Sequence, residues 1–516
     1  MNTKKICKIT LLKVYITSFI LLTLTINITA QVGIGTNNPD NSAALHIEDT
    51  ARGILIPRMT AAQRQAIQSP AEGLMVYQTT NPAGFWYFSN NQWNNLAGAA
   101  NGGKQTLILS DNITNAEAQA KILAEVGANT QEIRIVRCTN LTTVDLSMLT
   151  GVTQIYIVDN PVLQQVNFSA IKNIDESLTL KNCPQLNTIN FNTLEKIGQS
   201  YSGLYGLEIS NTGLPSLNLL QLKQVYGRVY ITQNPSLTSV SMPALTSLPS
   251  TDFLATRIQD NTSLTSINLS SLTQCGFLNI YGSSVTSLNL NALANCTASI
   301  LFQFEAMNAI SLPSLTTVSN SIYITNGLAL NTINLPSLST LGSELQLQNN
   351  NILNTLTLPA FTNGHLTILN CLQLSSINTP LYSTGYLELR NLANLTSINC
   401  PVLSNATISI QDNPAINSIS FPALTTSSDL IISNCNNLTA VSLNTYNSFT
   451  GSNFDFSGNR LPSVQINTLL NKLVNAVPQI TSKLIYLRQD IAAPPTGQGI
   501  TDKSTLISWG NQVSTD

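Results

Sequence analysis

The chain has 516 residues, of which only 9% are charged, and a formal net charge of −2, whereas about a quarter of an ordinary soluble domain is charged. Its surface must be built from Asn, Ser, Thr and Gln, with neither a basic stripe for nucleic acid nor a basic amphipathic helix for a membrane surface. The length is ample for more than one domain.

Residues 1–30 read as a signal peptide: Lys4, Lys5, Lys8 and Lys13 precede an apolar run over 16–26, and Ala30 stands before a cleavage point at Gln31. The run is shorter than the roughly 20 residues of a spanning helix. Cys7 lies ahead of it, so neither a retained membrane helix nor a lipid-anchored cysteine is expected. Removing the four lysines takes the net charge to −6, with 19 basic against 25 acidic residues. The expected product is exported and soluble, extracellular or on the outer cell surface, with no membrane insertion.

Residues 31–96 form a small α+β module. Short strands are expected at 45–47, 53–59, 73–77 and 85–88, and Thr60 with Gln63 makes a capping box for a short helix. The stretches GIGTNNP (33–39), GILIPRMTAAQRQAI (53–67), GLMVYQTT (73–80) and FWYFSNNQW (85–93) resemble the N-terminal module of many exported Bacteroidetes proteins, itself similar to pieces of phage tail fibres. That resemblance implies a homotrimer through this module. So small a core also favours self-association.

Residues 97–103 are a Gly/Ala linker, and 104–131 a cap with a strand at 106–109 and a helix at 114–126. Thr114 and Glu117 box that helix and Gly127 stops it. From 132 to 464 one unit recurs 15 times: alternating apolar residues, an Asn or Cys, then Leu-x-x-Ile-x-Leu. The anchor leucine runs from Leu141 to Leu461, replaced by Val285, Met307 and Ile416, at spacings of 21 to 28 residues. A period in this range means a solenoid whose turns bury their apolar sides against one another. In the copy at 229–243, Val229, Ile231, Leu237, Val240 and Met242 point inward and Tyr230 outward. Residues 465–516 are the opposite cap, with helical spacing at 466–474, a strand at 484–487, and a short helix capped by Thr501.

The repeat pattern resembles receptor L-domain and related leucine-rich-repeat proteins. It implies a mainly β, right-handed solenoid of parallel strands, about 15 turns long with helical caps, whose role is recognition. The Asn/Cys slot holds Cys138, Asn160, Cys183, Asn234, Asn261, Asn350, Cys371, Asn413 and Cys435. Its asparagines are expected to satisfy backbone groups inside a tight bend. Cys275, Cys296 and Cys400 replace leucines and read as core thiols. Cys275 and Cys296 share a phase on consecutive turns, about 4.8 Å apart, and are the pair within disulfide range.

Little here suggests chemistry. The two histidines, His46 and His365, build no metal site with core cysteines, and CxxC, HExxH, GxSxG, Walker and Rossmann patterns are missing, so no cofactor is expected. A polysaccharide-active β-helix enzyme, the catalytic alternative, needs paired carboxylates. On the outward column of the first strand Glu208 and Glu388 are many turns apart. That column, with Tyr156, Tyr230, Arg257 and Tyr323, and with Tyr281 just beyond Ile280, is the candidate ligand face. Rings among polar groups suit an extracellular glycan or protein partner. A row of threonines one residue past the anchor (Thr142, Thr238, Thr265, Thr286, Thr396, Thr439) keeps an ice-binding or structural surface role as a further alternative.

Overall fold

The computed structural model describes residues 31–80, 83–96, 103–199, 206–249, 256–282 and 284–516. The signal peptide and residues 97–102 of the linker lie outside the described residues. The chain divides into two compact units, one ending at Leu96 and one beginning at Ala97.

In the first unit Val32–Ile34 pairs in parallel with Leu45–Ile47. A second sheet runs Arg58–Met59, Met75–Gln78, Gly84–Ser89, Gln92–Asn95, the last three antiparallel. Helix α1 (Ala61–Gln65) starts from the Thr60–Gln63 capping box. The strand expected over 53–59 shrinks to Arg58–Met59, because Pro57 has no N–H to give a ladder. Ile54 and Leu55 are left 63% and 82% exposed. Among its described residues the only buried aliphatic is Val76, and beside it a cation, Arg64, is buried. The Arg64 guanidinium stacks 3.8 Å over the Trp86 ring and its Nε donates to Gln78 Oε1 at 2.8 Å. Val32, Ile34, Leu45, Met75 and Phe85 are also exposed. This unit thus leaves much apolar surface outside and buries little inside.

The second unit is a β-solenoid of about 17 turns. The turns beyond the 15 anchors come from the caps: Thr106–Ser110 precedes the repeats, and Leu484–Tyr486 and Gln512–Ser514 extend the same parallel sheet after them. Each turn has three sides. In one turn these are Arg228–Thr232, Ser239–Ser241 and Ser247–Leu248. The third side, a two-residue strand after the Leu-Pro-x-Leu corner, is short enough to hide inside an apparent loop. Stacking is in register, as Tyr230↔Arg257↔Asn279 shows on the long side and Ser239↔Ser266↔Ser287 on the second. Val229, Ile231, Leu237, Val240 and Met242 are at most 1% exposed, so the inward assignment holds. Large residues also stack on their own kind, with Phe168 and Phe191 parallel at 5.2 Å.

Both ends are covered by helices. Helix α2 (Asn115–Glu125), boxed by Thr114 and Glu117, buries Ala118 and Ile122 against the first turns. Helix α3 (Ser463–Val474) buries Ile466, Leu469, Leu470 and Leu473 at the other end. Helix α4 (Gln498–Ser508) differs from expectation: it begins after Gly497, at φ +50, with no side-chain cap, and Thr501 lies inside it. The turn before it is instead pinned by Thr496 N–H donating to Asn467 Oδ1 at 2.9 Å. Among the described residues no helix is long and apolar enough to cross a membrane.

Candidate binding face

Three columns of side chains tie each turn to the next, and they use up most of the polar groups near them. The first is the Asn/Cys slot. Asn234 Nδ2 donates to the carbonyls of Ile209 and Thr232, both at 3.0 Å, and its Oδ1 accepts from Thr212 N–H at 3.0 Å. Asn160, Asn350 and Asn413 repeat this reach into the preceding turn. Asn261 Nδ2 donates to Ile231 O, and its Oδ1 accepts from Asn234 N–H. Cysteine copies the donor half, the Cys183, Cys371 and Cys435 thiols pointing at the equivalent pairs of carbonyls, and as an acceptor offers only a weak sulfur, as where Asn160 Nδ2 donates to Cys183 Sγ at 3.8 Å. Asn459 and Gln489 carry the slot into the C-terminal cap.

The second column precedes the slot. Asp159, Asn182, Asn211, Gln233, Asp260, Asn326, Asn349, Asn370, Asn391, Asp412 and Asn434 all have φ between +52 and +59, a left-handed bend that Asn and Asp tolerate best. Their side chains form exposed ladders: Asn182 to Asp159, Asn211 to Asn182, then Asn349 to Asn326, Asn370 to Asn349 and Asn391 to Asn370. The third column is hydroxyl. Thr238, Thr265, Thr286, Thr396 and Thr439 each donate to a carbonyl of the previous turn. Five of the six threonines weighed as an ice-like surface therefore direct their hydroxyl hydrogens into the backbone, and the sixth, Thr142, accepts from Asn115 Nδ2 at 2.8 Å.

The long-strand face carries two outward columns. The first runs Arg134, Tyr156, Thr179, Glu208, Tyr230, Arg257, Asn279, Leu301, Tyr323, Gln346, Thr367, Glu388. Leu301 stands between Asn279 and Tyr323, an apolar side chain in an otherwise polar and aromatic column. Glu208 is engaged by Lys181 at 3.1 Å, and eight rungs, about 38 Å at 4.8 Å each, separate it from Glu388. Among the described residues no group of three or more His, Cys, Asp or Glu is placed to hold a metal ion.

One groove interrupts this face. It has a volume of about 570 Å³ and is lined by Gln259, Asp260, Asn279, Tyr281, Leu301, Phe302, Gln303, Tyr323, Thr325 and Gln346. Tyr281 lies on the second outward column, in register with Gln303, and Tyr323 on the first, in register with Leu301. The two rings thus bracket one intervening strand, Ile300–Phe304. Of the five singled-out residues, Tyr281 and Tyr323 are brought together. Arg257 sits one rung before Asn279 at the groove's edge, with its Nε buried and unpartnered. Tyr156 and Tyr230 are not part of it, being three rungs apart, and Tyr156 is covered by the Arg134 guanidinium at 5.2 Å. Gln303 and Thr325 escaped sequence reading, although continuing the in-out alternation one step past Phe302 and Ile324 finds both.

All seven described cysteines are buried thiols. Burial pushes Cys371, Cys400 and Cys435 up to about 11. Cys275 and Cys296 are register partners, yet they stand as thiols. The Cys275 thiol, buried and hydrogen-bonded to Cys296, is held well above the usual range, and Cys296 donates to Gly276 O at 2.8 Å.

Residues 33–115 match a family model described as a phage tail like trimerisation region. Among solved structures, the chain is similar to a leucine-rich repeat protein from Bacteroides ovatus, at 13% identity over 75% of this chain and 91% of that one, with a TM-score of 0.35. It is similar to the pneumococcal vaccine antigen PcpA at 11% identity over 87% and 98%, TM-score 0.16. A leucine rich cell surface protein from Faecalibacterium prausnitzii matches at 14% over 61% and 94%, TM-score 0.15. No curated protein matches this chain.

Proposed function

We propose that this protein is a non-catalytic recognition or adhesion protein, exported and working outside the cell or on its surface, that binds a glycan or protein partner through the long-strand face of its solenoid. The observation that carries this reading is the groove between Tyr281 and Tyr323, where aromatic rings stand among polar side chains. In domain terms, 1–30 is the export signal, 31–96 the attachment and trimerisation module, 97–103 a linker, 104–131 and 465–516 the caps, and 132–464 the binding solenoid. The trimer reading rests on the family match and on the exposed apolar residues of the first unit. Three solenoids on one stalk would raise avidity without any new contact.

The test is a glycan-array and whole-cell binding screen with the chain from Gln31, beside a chain beginning at Lys104, which keeps the solenoid core and both caps intact. Binding by both places recognition on the solenoid. Binding by the longer chain alone assigns it to the first module or to avidity, and silence from both removes the recognition reading.

A further inference from the structure

The exposed asparagine ladder runs through Asn211, and resumes at Asn326. The groove lies in the interval. There Asn279, Gln303, Thr325, Tyr281 and Tyr323 have no side-chain hydrogen-bond partner among the described residues, whereas Gln259 bonds Asp260 and Gln346 bonds Gln348 at the margins of the same lining. Two rings bracket these unpaired amides and a hydroxyl, and the one charged lining residue is a carboxylate, Asp260. We propose that this groove binds a neutral glycan segment, with sugar faces against Tyr281 and Tyr323 and sugar hydroxyls bonded by Asn279, Gln303 and Thr325.

The chemistry selects that occupant. A carboxamide presents a donor and an acceptor side by side, the complement of neighbouring hydroxyls that each donate and accept. Aromatic rings supply flat apolar area beside a polar handle. The Asp260 carboxylate accepts hydroxyl hydrogens but repels a uronate or sulfated polymer. A protein occupant would require an apolar patch core, and here the partly exposed aliphatic in the lining is Leu301 alone. The proposal rests on the reading of this face as a recognition surface and narrows its ligand.

Affinity electrophoresis of the full chain through gels holding laminarin, mannan, xylan or polygalacturonate tests it. At least one neutral polysaccharide should retard the protein, and polygalacturonate should not. Retardation should fall about tenfold or more in Tyr281→Ala/Tyr323→Ala, and clearly in Gln303→Ala, while Tyr156→Ala stays as wild type. Both tyrosines project outward, so unchanged thermal midpoints accompany these variants. Retardation only by polygalacturonate, or neutral binding indifferent to Tyr281, Tyr323 and Gln303, overturns the proposal. If no polysaccharide binds but whole-cell adhesion is lost in the double tyrosine variant, the glycan assignment fails and the recognition face stands. If adhesion is also indifferent, both fail.

Discussion

Replacing Asn234 separates the slot's hydrogen bonding from its shape. Leu has the branching and side-chain heavy-atom count of Asn but is bulkier and apolar, so Asn234→Leu fills the bend and removes every polar contact. It leaves Thr212 N–H, the Thr212 hydroxyl and the carbonyls of Ile209 and Thr232 without their Asn234 partner. Each buried group left unsatisfied costs about 1–3 kcal/mol, so the two carbonyls and the N–H, with the rotatable Thr212 hydroxyl counted as free to turn elsewhere, predict a loss of about 3–6 kcal/mol after local relaxation. Asn234→Cys keeps a donor aimed at the two carbonyls, as Cys183 does at 3.9 and 3.3 Å, and should cost about 1–2 kcal/mol for the lost acceptor. Ser236→Ala, at an exposed turn position, should stay within about 0.5 kcal/mol. Because repeat arrays unfold piecewise, urea midpoints should be read together with hydrogen exchange at the Thr212 and Asn234 amides. The expected order of stability is wild type, then Cys, then Leu. Equal midpoints and equal protection for Leu and Cys would show that the slot does not discriminate by hydrogen bonding, and the reasoning would be wrong.

Alkali should weaken the solenoid. Cys371, Cys400 and Cys435 are raised from about 9 to about 11, so between those values the unfolded chain has lost protons that the folded one keeps. Stability is then full below pH 9 and falls as pH rises through 11, by up to about 2.7 kcal/mol per thiol; a thermal midpoint flat from pH 8 to 11 would contradict the burial. Thiol titration of the unreduced, denatured mature chain should count all seven cysteines; a count of five would mean one disulfide, to be located by peptide mapping with the register partners Cys275 and Cys296 as the first pair to check. In the first unit, Leu55→Asp should turn the trimer into monomer in sedimentation equilibrium while leaving solenoid unfolding unchanged. A monomeric wild type at tens of micromolar would end the trimer assignment.

Much of the solenoid was legible because one residue type at one phase has one job. The anchors, the inward Val229 and Ile231 and the Asn slot follow from period and alternation alone, since every turn solves the same burial problem. Two-residue strands such as Ser247–Leu248 were not legible, being too short for periodicity to register. The hydroxyl staples were visible as a threonine row, but only three-dimensional register shows their hydrogens turned into the previous turn's carbonyls. Thr501 misled because its apolar spacing begins late, whereas Gly497 takes a conformation that an L side chain resists. The groove was half legible: tyrosines announce themselves, while Gln303 and Thr325 resemble any other outward polar residue until their lack of partners is seen.

The scarcity of charge follows from the same stacking. In-register turns place identical phases about 4.8 Å apart, where two like charges repel by roughly 0.9 kcal/mol even at the dielectric constant of water. A column of lysines or glutamates would repeat that penalty at every rung, whereas Asn, Ser and Thr can each donate to the copy above and accept from the copy below. Where charges do stack, they alternate. Lys172, Glu195 and Lys223 succeed one another through consecutive backbone bonds, Lys223 reaches Glu195 at 2.6 Å, and both cations hold the Glu195 carboxyl below its ordinary value. Lys181 and Glu208 pair at 3.1 Å across adjacent turns in the same way. An uncharged, amide-rich surface is therefore what this architecture requires anywhere along its length, and it does not by itself mark a glycan site. What distinguishes the groove is that the side chains of Asn279, Gln303 and Thr325 have no hydrogen-bond partner among the described residues. There the self-complementary surface is left open, and a ligand rich in hydroxyls can complete it.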